Sequence, residues 1–421
     1  MVKLKILGSG REVGRTAILL ESRSGEKLLL DYGVGFDEND RPVFPLHVAP
    51  KELKGIVLSH AHLDHCGAIP LLYTTYSLPL YTTSLTAELS NLLLNDMLKI
   101  SGYYLPYEDV EIRKMMRNVQ AIEYGESLEL GSFRITFLNA GHIPGSIMTV
   151  IEVDDKRILY TGDFNTVSTE LLRGADVYSV GKVDVVIMEA TYALYNHPRR
   201  EDVRRKFVRT VLEVLNEGGK VLVPAFSVGR AQEIMFVCAE EIPEYPIYVD
   251  GMARQAAEIL AKYPRYLRDY RRYMDVLERV EQVNGWDMRK RILKKPCVII
   301  SPAGMLKGGA ALFYLKKLYS DPRNAVIFVS YQSPTTPGFR ILEEGTFELG
   351  AEKLRVEARV EWFDFSSHCG RRELINFVKR FSDAKIVLVH TEPEGGVKFA
   401  EYLREMNFDV EVPEIGHEED L

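Results

Sequence analysis

GIVLSHAHLDHCGAIPLL, residues 55–72, is the stretch on which the reading of this chain turns. An apolar run, a polar loop and a second apolar run predict a strand, a loop and a helix. The loop carries His60, His62, Asp64 and His65. Alternate residues of an extended segment point the same way, so His60 and His62 can chelate one ion. Asp64 and His65 fall at the start of the following helix, offset toward a second ion. The competing reading is a polar turn with incidental histidines, and three histidines plus an aspartate within six residues weigh against it.

A metal site gathers ligands that are distant in sequence, and the flanking segments supply candidates. FRITFLNAGH runs as a strand into His142, RILYTGDF into Asp163, and KIVLVH into His390. Alone, His142 serves equally well as a helix cap or a core histidine. Asp163 differs, because a carboxylate can offer its two oxygens to two ions about 3.5–4 Å apart and an imidazole cannot. Several strands thus end at residues able to bind metal, as expected if one rim of a sheet assembly carries a site. The early glycines Gly8 and Gly10 do not make a dinucleotide loop, because Gly14 is misplaced and a strand-like run follows where a helix should open.

Bulk properties narrow the class. At 421 residues the chain is too long for one ordinary core, so two domains are expected. With 46% hydrophobic and 27% charged residues it is globular rather than disordered. No apolar run approaches the roughly 20 residues that span a bilayer, and MVKLKILGSGREVG turns polar before a signal-peptide core can form. A cytoplasmic protein with no membrane partner is expected. The 4 cysteines form no C-x-x-C pair, which disfavours a thiolate knuckle or a disulfide framework. From about residue 194 the texture becomes alternating helix and strand, and after about residue 346 strand-like segments return. Residues 194–345 are therefore expected as an inserted α/β domain, with 1–193 and 346–421 forming the other.

The H-x-H-x-D-H box, the later Gly-His, the Gly-Asp after a strand, and Asp31 after an early strand together resemble the metallo-β-lactamase superfamily. The resemblance implies an αββα sandwich, an α/β fold, with ion one on His60, His62 and His142, ion two on Asp64, His65 and His390, and Asp163 bridging. Asp31 is implied as a carboxylate supporting the histidine loop. Glu189 in Glu189-Ala190-Thr191-Tyr192, His368 in Phe365-Ser366-Ser367-His368, and His390 are similar to the three extra motifs of the β-CASP nucleases. Pro224-Ala225-Phe226-Ser227-Val228-Gly229-Arg230-Ala231-Gln232-Glu233 and Ser301-Pro302-Ala303-Gly304-Met305-Leu306 resemble that family's inserted-domain segments. The opening Gly-Arg-Glu-Val-Gly-Arg resembles the archaeal cleavage and polyadenylation specificity factor-like branch more than ribonuclease J. The likeness begins at the lactamase domain, without the KH-type domains of some archaeal relatives, so no separate sequence-reading module is expected. Thr391 stands where many relatives have glycine.

The expected activity is metal-dependent RNA phosphodiester hydrolysis, mainly endonucleolytic, in RNA processing or decay. It would use a two-metal-activated hydroxide and a histidine general acid. His368 is the candidate acid, oriented by Glu189; the competing reading makes His368 a helix cap. Asp64 and Asp163 are counted with them as catalytic. Two zinc ions suit the imidazole-rich set better than magnesium, with manganese as the alternative. Single-stranded RNA is the expected partner, and a homodimer is compatible. Residues 194–345 hold 25 Lys+Arg against 18 Asp+Glu, a net +7 inside a chain of net −7. Ser227, Gly229, Arg230, Arg268 and Gly304 are the candidate RNA contacts, the glycine turns by exposing backbone N–H groups. The run from Lys262 to Tyr273 interleaves cations with rings, either as a stacking surface or as a solvated face with tyrosines packed inward. A 5′–3′ exoribonuclease of the ribonuclease J type, a small-molecule hydrolase of the same fold and a non-catalytic scaffold are the rival readings.

Overall fold

The computed structural model describes residues 1–350 and 352–421. The chain divides into two compact units. The first comprises Met1–Ser168, Gly174–Asn196 and His368–Leu421; the second comprises Thr169–Arg173 and His197–Ser367. No helix among the described residues is long and apolar enough to cross a membrane.

The first unit is built on two 7-stranded sheets. Period-2 alternation explains why both faces of each sheet are covered. In Ala17–Glu21, Ile18 and Leu20 join one buried cluster while Ala17 and Leu19 join another. The cluster containing Ile18 draws on both sheets, from Leu4 and Val57 to Phe137, Ile187 and Val389, and is the layer between them. The cluster containing Leu19 packs one sheet against the helices Ser84–Ser101 and Asp109–Arg117. A third packs Leu159 and Leu388 against Arg371–Val378 and Pro393–Glu405. The order of layers is helix, sheet, sheet, helix. Each aliphatic side chain so buried contributes roughly 1.5–3 kcal/mol.

The second unit holds a 6-stranded sheet in the order Glu281–Gln282, Ile247–Val249, Val298–Ser301, Val221–Pro224, Ala325–Phe328, Arg359–Trp362, every pair parallel. Its near-continuous apolar strands, VLVP, VIIS and AVIF, are fully buried, as a parallel sheet requires. The insertion expected at 194–345 ends too early. Arg359–Trp362 pairs with Ala325–Phe328, so the segment after residue 346 extends this sheet instead of returning to the first unit, and the crossing falls at Ser367.

Candidate metal centre

The histidine loop is held by its neighbours' backbone. Thr16 N donates to Asp64 O, Tyr32 N to His65 O and Val34 N to Leu63 O. A Cβ on Gly33 would lie 1.7 Å from Asp64 O, so only glycine lets the two segments approach this closely. Gly162 does the same for Asp163: its φ is +51°, and a Cβ there would sit 2.7 Å from the Ser59 Cβ.

Two donor sets result. His62 Nδ1 lies 3.2 Å from His60 Nε2 and 3.1 Å from His142 Nε2. Asp163 Oδ2 lies 3.5 Å and 3.7 Å from the His60 and His142 nitrogens. On the other side His390 Nε2 lies 3.2 Å from Asp64 Oδ2, and His65 Nε2 lies 3.4 Å from Asp163 Oδ1. The seven residues expected as ligands therefore form two groups that meet at Asp163, one oxygen toward each.

The donor set passes a physical test for a metal. His65 Nε2 and Asp163 Oδ1 are sealed from solvent and make no well-formed hydrogen bond, a costly arrangement unless an ion takes them. The distances of 3.1 Å and 3.2 Å from His62 Nδ1 to the other two imidazole nitrogens also match the edge, about 3.3 Å, of a tetrahedron with arms of about 2.0 Å. Burial, with help from neighbouring imidazoles, holds the His60 pKa well below its ordinary value, and burial takes His62 down to about 4. Both are thus neutral and able to donate a lone pair near pH 7. Burial also depresses His65, but Asp163 and Asp31 outweigh it and hold its pKa well above the usual range.

Hydrogen bonds set the tautomers. Asp31 accepts from Ser59 N at 2.7 Å, Ser59 Oγ at 2.6 Å, Tyr160 Oη at 2.6 Å and His65 Nδ1 at 2.7 Å. His65 Nδ1 is therefore committed to Asp31, and Nε2 is the ring atom turned inward. The single Ser59 hydroxyl proton goes to Asp31, so the Ser59 oxygen accepts from His60 Nδ1 at 3.0 Å, leaving His60 Nε2 bare. The supporting role expected of Asp31 matches this geometry, whereas Ser59 and Tyr160 were not anticipated. Ser59 directly precedes His60, which was the available signal.

Glu189 ends the strand Val185–Glu189 and is buried. It accepts from Phe164 N at 3.0 Å, from Thr191 Oγ1 at 2.5 Å, and from His368 Nδ1 at 2.8 Å and 3.0 Å. The His368 ring stands 4.5 Å from that of His142, beside the first donor set. The helix Arg371–Val378 is entered through Gly370, so His368 is not its cap.

The candidate RNA contacts fare differently. The Gly229 N–H is taken by Gln232 Oε1 at 2.8 Å, and Ser227 is buried with its carbonyl accepting from Gln232 Nε2. The turn is a helix cap, which corrects the expectation that it exposes N–H groups. Arg230 is buried and donates to Ser367 Oγ at 3.2 Å. Gly304 serves close packing, since a Cβ there would meet Phe226 N at 3.0 Å. Arg268 donates to Thr169 O at 2.7 Å. In the Tyr/Arg run, Tyr266 and Tyr273 are buried and Arg272 pairs with Glu240 and Glu170, so the inward-packed reading prevails over a stacking surface.

A largely buried cluster of five histidines and two aspartates on the rim of a helix–sheet–sheet–helix unit, with a histidine–glutamate pair beside it, defines a metal-dependent hydrolase. Residues 10–223 match the family described as the metallo-beta-lactamase superfamily, 231–341 the Beta-Casp domain, and 353–413 the Zn-dependent metallo-hydrolase RNA specificity domain. A protein of Saccharolobus solfataricus named RNase aCSPSF2 is 45% identical over 99% of this chain and 84% of its own length. Probable RNase MJ4 of Methanocaldococcus jannaschii is 31% identical over 97% of both chains. The transcription termination factor FttA of the same organism is 34% identical over 96% of this chain and 69% of its own. A crystal structure of a protein of unknown function from Enterococcus faecalis superposes over 100% of both chains with TM-score 0.63 at 16% identity, a likeness of fold alone. The chain belongs to the metallo-β-lactamase superfamily and, within it, to the β-CASP branch.

Proposed function

We propose that this protein is a metal-dependent ribonuclease that hydrolyses RNA phosphodiester bonds, mainly by internal cleavage. The observation that carries the reading is Asp163, whose two oxygens face two separate donor sets. His60, His62 and His142 would hold one divalent ion and Asp64, His65 and His390 the other, with Asp163 serving both. Nitrogen-rich ligation without cysteine favours zinc, with manganese as the alternative. Bound there, such ions supply Lewis acidity toward the attacked phosphate and make water nucleophilic at neutral pH. RNA is the substrate class carried by the names of the relatives.

The chain's own contribution is to orient and to move a proton. As water adds to phosphorus, the bond to the leaving ribose oxygen breaks, and that oxygen needs a proton. His368 is held through Nδ1 by Glu189, which leaves Nε2 to deliver one. Glu189 also offsets the positive charge of the protonated ring. The test is incubation of metal-loaded protein with linear and circular single-stranded RNA and matched DNA. Linearisation of the circle, with DNA spared, is expected. An intact circle beside a linear RNA shortened from its 5′ end would replace internal cutting with the exonuclease reading, and inert RNA would overturn both.

A further inference from the structure

The second unit carries a surface that the metal centre does not use. Three adjacent parallel strands, Val221–Pro224, Ala325–Phe328 and Arg359–Trp362, lead at their carboxyl ends to exposed rings: Phe226 at 36%, Tyr331 at 49% and Trp362 at 40% exposure. Among the described residues of this unit these are three of its four exposed large hydrophobic side chains, so their gathering at one edge is not scatter. Neighbouring strands are about 4.8 Å apart, which sets the spacing of the row. The backbone beneath is knit together. Trp362 Nε1 donates to Ser330 O at 3.2 Å, and Gln332 Nε2 lies 3.1–3.2 Å from the carbonyls of Gly304, Ser330 and Tyr331. Rings on so fixed a base lose little entropy when something stacks on them.

Charge says what that partner is. This unit has 29 Lys+Arg against 24 Asp+Glu, a net +5, while the first unit is left with −12. Two acids that end at this edge already have partners, Asp250 in Arg289 at 2.7 Å and 2.9 Å and Asp364 in His197 at 2.7 Å. Lys307 lies in the segment that follows one of the strands. The chain leaves Val221–Pro224 toward Ile247–Val249 on one side and later places Ala325–Phe328 on the other, and ligands of open α/β sheets bind at the carboxyl ends of such a reversal. We propose that Phe226, Tyr331 and Trp362 form a stacking platform for unpaired bases of single-stranded RNA, an inference that rests on the ribonuclease reading.

Binding and cleavage are measured separately. Affinity is read by fluorescence anisotropy on the metal-loaded protein, in a His368→Ala background that slows cutting, with a labelled single-stranded RNA and its abasic counterpart. Trp362→Ala and Tyr331→Ala should each weaken the base-bearing RNA by about 5- to 100-fold, leave the abasic RNA unchanged, and leave turnover of bis-p-nitrophenyl phosphate by the otherwise wild-type enzyme intact. Trp362→Phe should retain most of the affinity. Equal losses on both RNAs, or none on either, would overturn the platform, the second result pointing to a protein partner for the rings. An enzyme that binds with this discrimination yet never cleaves RNA would overturn the ribonuclease reading and leave the platform standing.

An independent observation concerns Thr191. Its Oγ1 donates to Glu189 at 2.5 Å, so its oxygen accepts from His390 Nδ1 at 3.1 Å. The arrangement repeats that of Asp31, Ser59 and His60 on the opposite side of the cluster. We infer that Thr191 is a positioning residue that holds His390 through Nδ1 and so turns its Nε2 toward Asp64, with Glu189 anchoring His390 and His368 together. Metal affinity, read by competition with a chromogenic chelator, should fall about 10- to 100-fold for one of two ions in Thr191→Val and stay near wild type in Thr191→Ser. The melting temperature of the metal-free protein should not separate the two variants. Wild-type affinity for both ions in Thr191→Val, or equal weakening in Thr191→Ser, would overturn the role.

Discussion

The metal rim of the first unit and the carboxyl edge of the second are both made where strands stop, yet they are built on opposite terms. At the rim five of the seven donors are buried and two, His62 and Asp64, are partly so, and each imidazole whose orientation is set is tied to a carboxylate directly or through one hydroxyl. At the edge the functional candidates are exposed rings, and the polar groups beneath them are spent on holding loops together. A centre that must present several lone pairs at one point tolerates little variation in residue or position. A surface that contacts a flexible polymer spreads its energy over many weak contacts, any one of which is dispensable.

The largest expected effect tests the rim at its shared residue. Asp163→Asn should lose bound metal and more than about 10⁴-fold in phosphodiester turnover, beyond the range of a lost general acid. Metal content by atomic emission beside turnover checks both; a variant that keeps its ions and near-normal rate would break the contrast at its centre. Next, His368→Ala should keep its metal and lose about 10²- to 10⁴-fold on RNA, with the loss shrinking on a diester that expels nitrophenolate. Equal losses on both substrates would falsify the acid role. Asp31→Asn should then cost about 10- to 100-fold in metal affinity, with turnover recovered by added metal, because it removes orientation and no ligand atom.

This contrast also explains what was legible in the amino-acid sequence. Ligand chemistry admits few residue types, so His60, His62, Asp64, His65, His142, Asp163 and His390 stand out by type and by their place after strands. The hydroxyls of Ser59 and Thr191 do not, because serine and threonine are common and their role appears only when their partners are in place. Motif resemblance in the second unit is legible as fold, while the local structural roles of its residues are not. The Pro224–Glu233 segment turns out to build a capped helix, Arg230 to hold Ser367, and Glu233 to receive Glu170 N, Leu171 N and Arg200. Cation and ring interleaving between Lys262 and Tyr273 was ambiguous for a physical reason, since a packed tyrosine and a stacking tyrosine look alike until burial is known. The domain boundary was missed because a short strand, Arg359–Trp362, has the same composition whichever sheet it joins.

Glu233 sharpens the comparison from the second unit's side. Burial raises its pKa, but Arg200 and the backbone donors outweigh burial and hold it below the ordinary carboxylate value. A depressed folded-state pKa stabilises the protein above the unfolded value and ceases to do so as pH falls through the folded one. Glu233→Gln should therefore cost about 1–3 kcal/mol at pH 7, and the gap to wild type should close in acid. Denaturant midpoints from pH 7 to below pH 4 measure it. A constant gap across that range would mean that shape, and not charge, is what Glu233 supplies.

Arg268 gives the smallest effect and the cleanest separation of composition from contact. It lies in the run whose interleaved cations and rings suit RNA, yet its guanidinium donates to Thr169 O at 2.7 Å and its N–H to Leu171 O at 2.9 Å. Both partners belong to Thr169–Arg173, the short excursion that also rests on Glu233. One charged hydrogen bond is lost in Arg268→Ala, and the carbonyl it leaves can be met by water at a partly open position, so the expected cost is about 0.5–1.5 kcal/mol of stability. One positive charge is removed as well, but a guanidinium held against a carbonyl is not aligned for a phosphate. KM for single-stranded RNA should stay within about 2-fold of wild type at moderate salt, well short of the 5- to 100-fold expected at Trp362 or Tyr331. Paired measurements of melting temperature and KM for Arg268→Ala and Trp362→Ala separate the two residues by KM: Arg268→Ala should move stability and leave KM, whereas Trp362→Ala, which also loses the bond to Ser330 O, should move KM. An Arg268→Ala variant that weakened RNA as strongly as Trp362→Ala would mean that the excursion itself lies on the RNA path, and the exposed edge would no longer be a distinct surface.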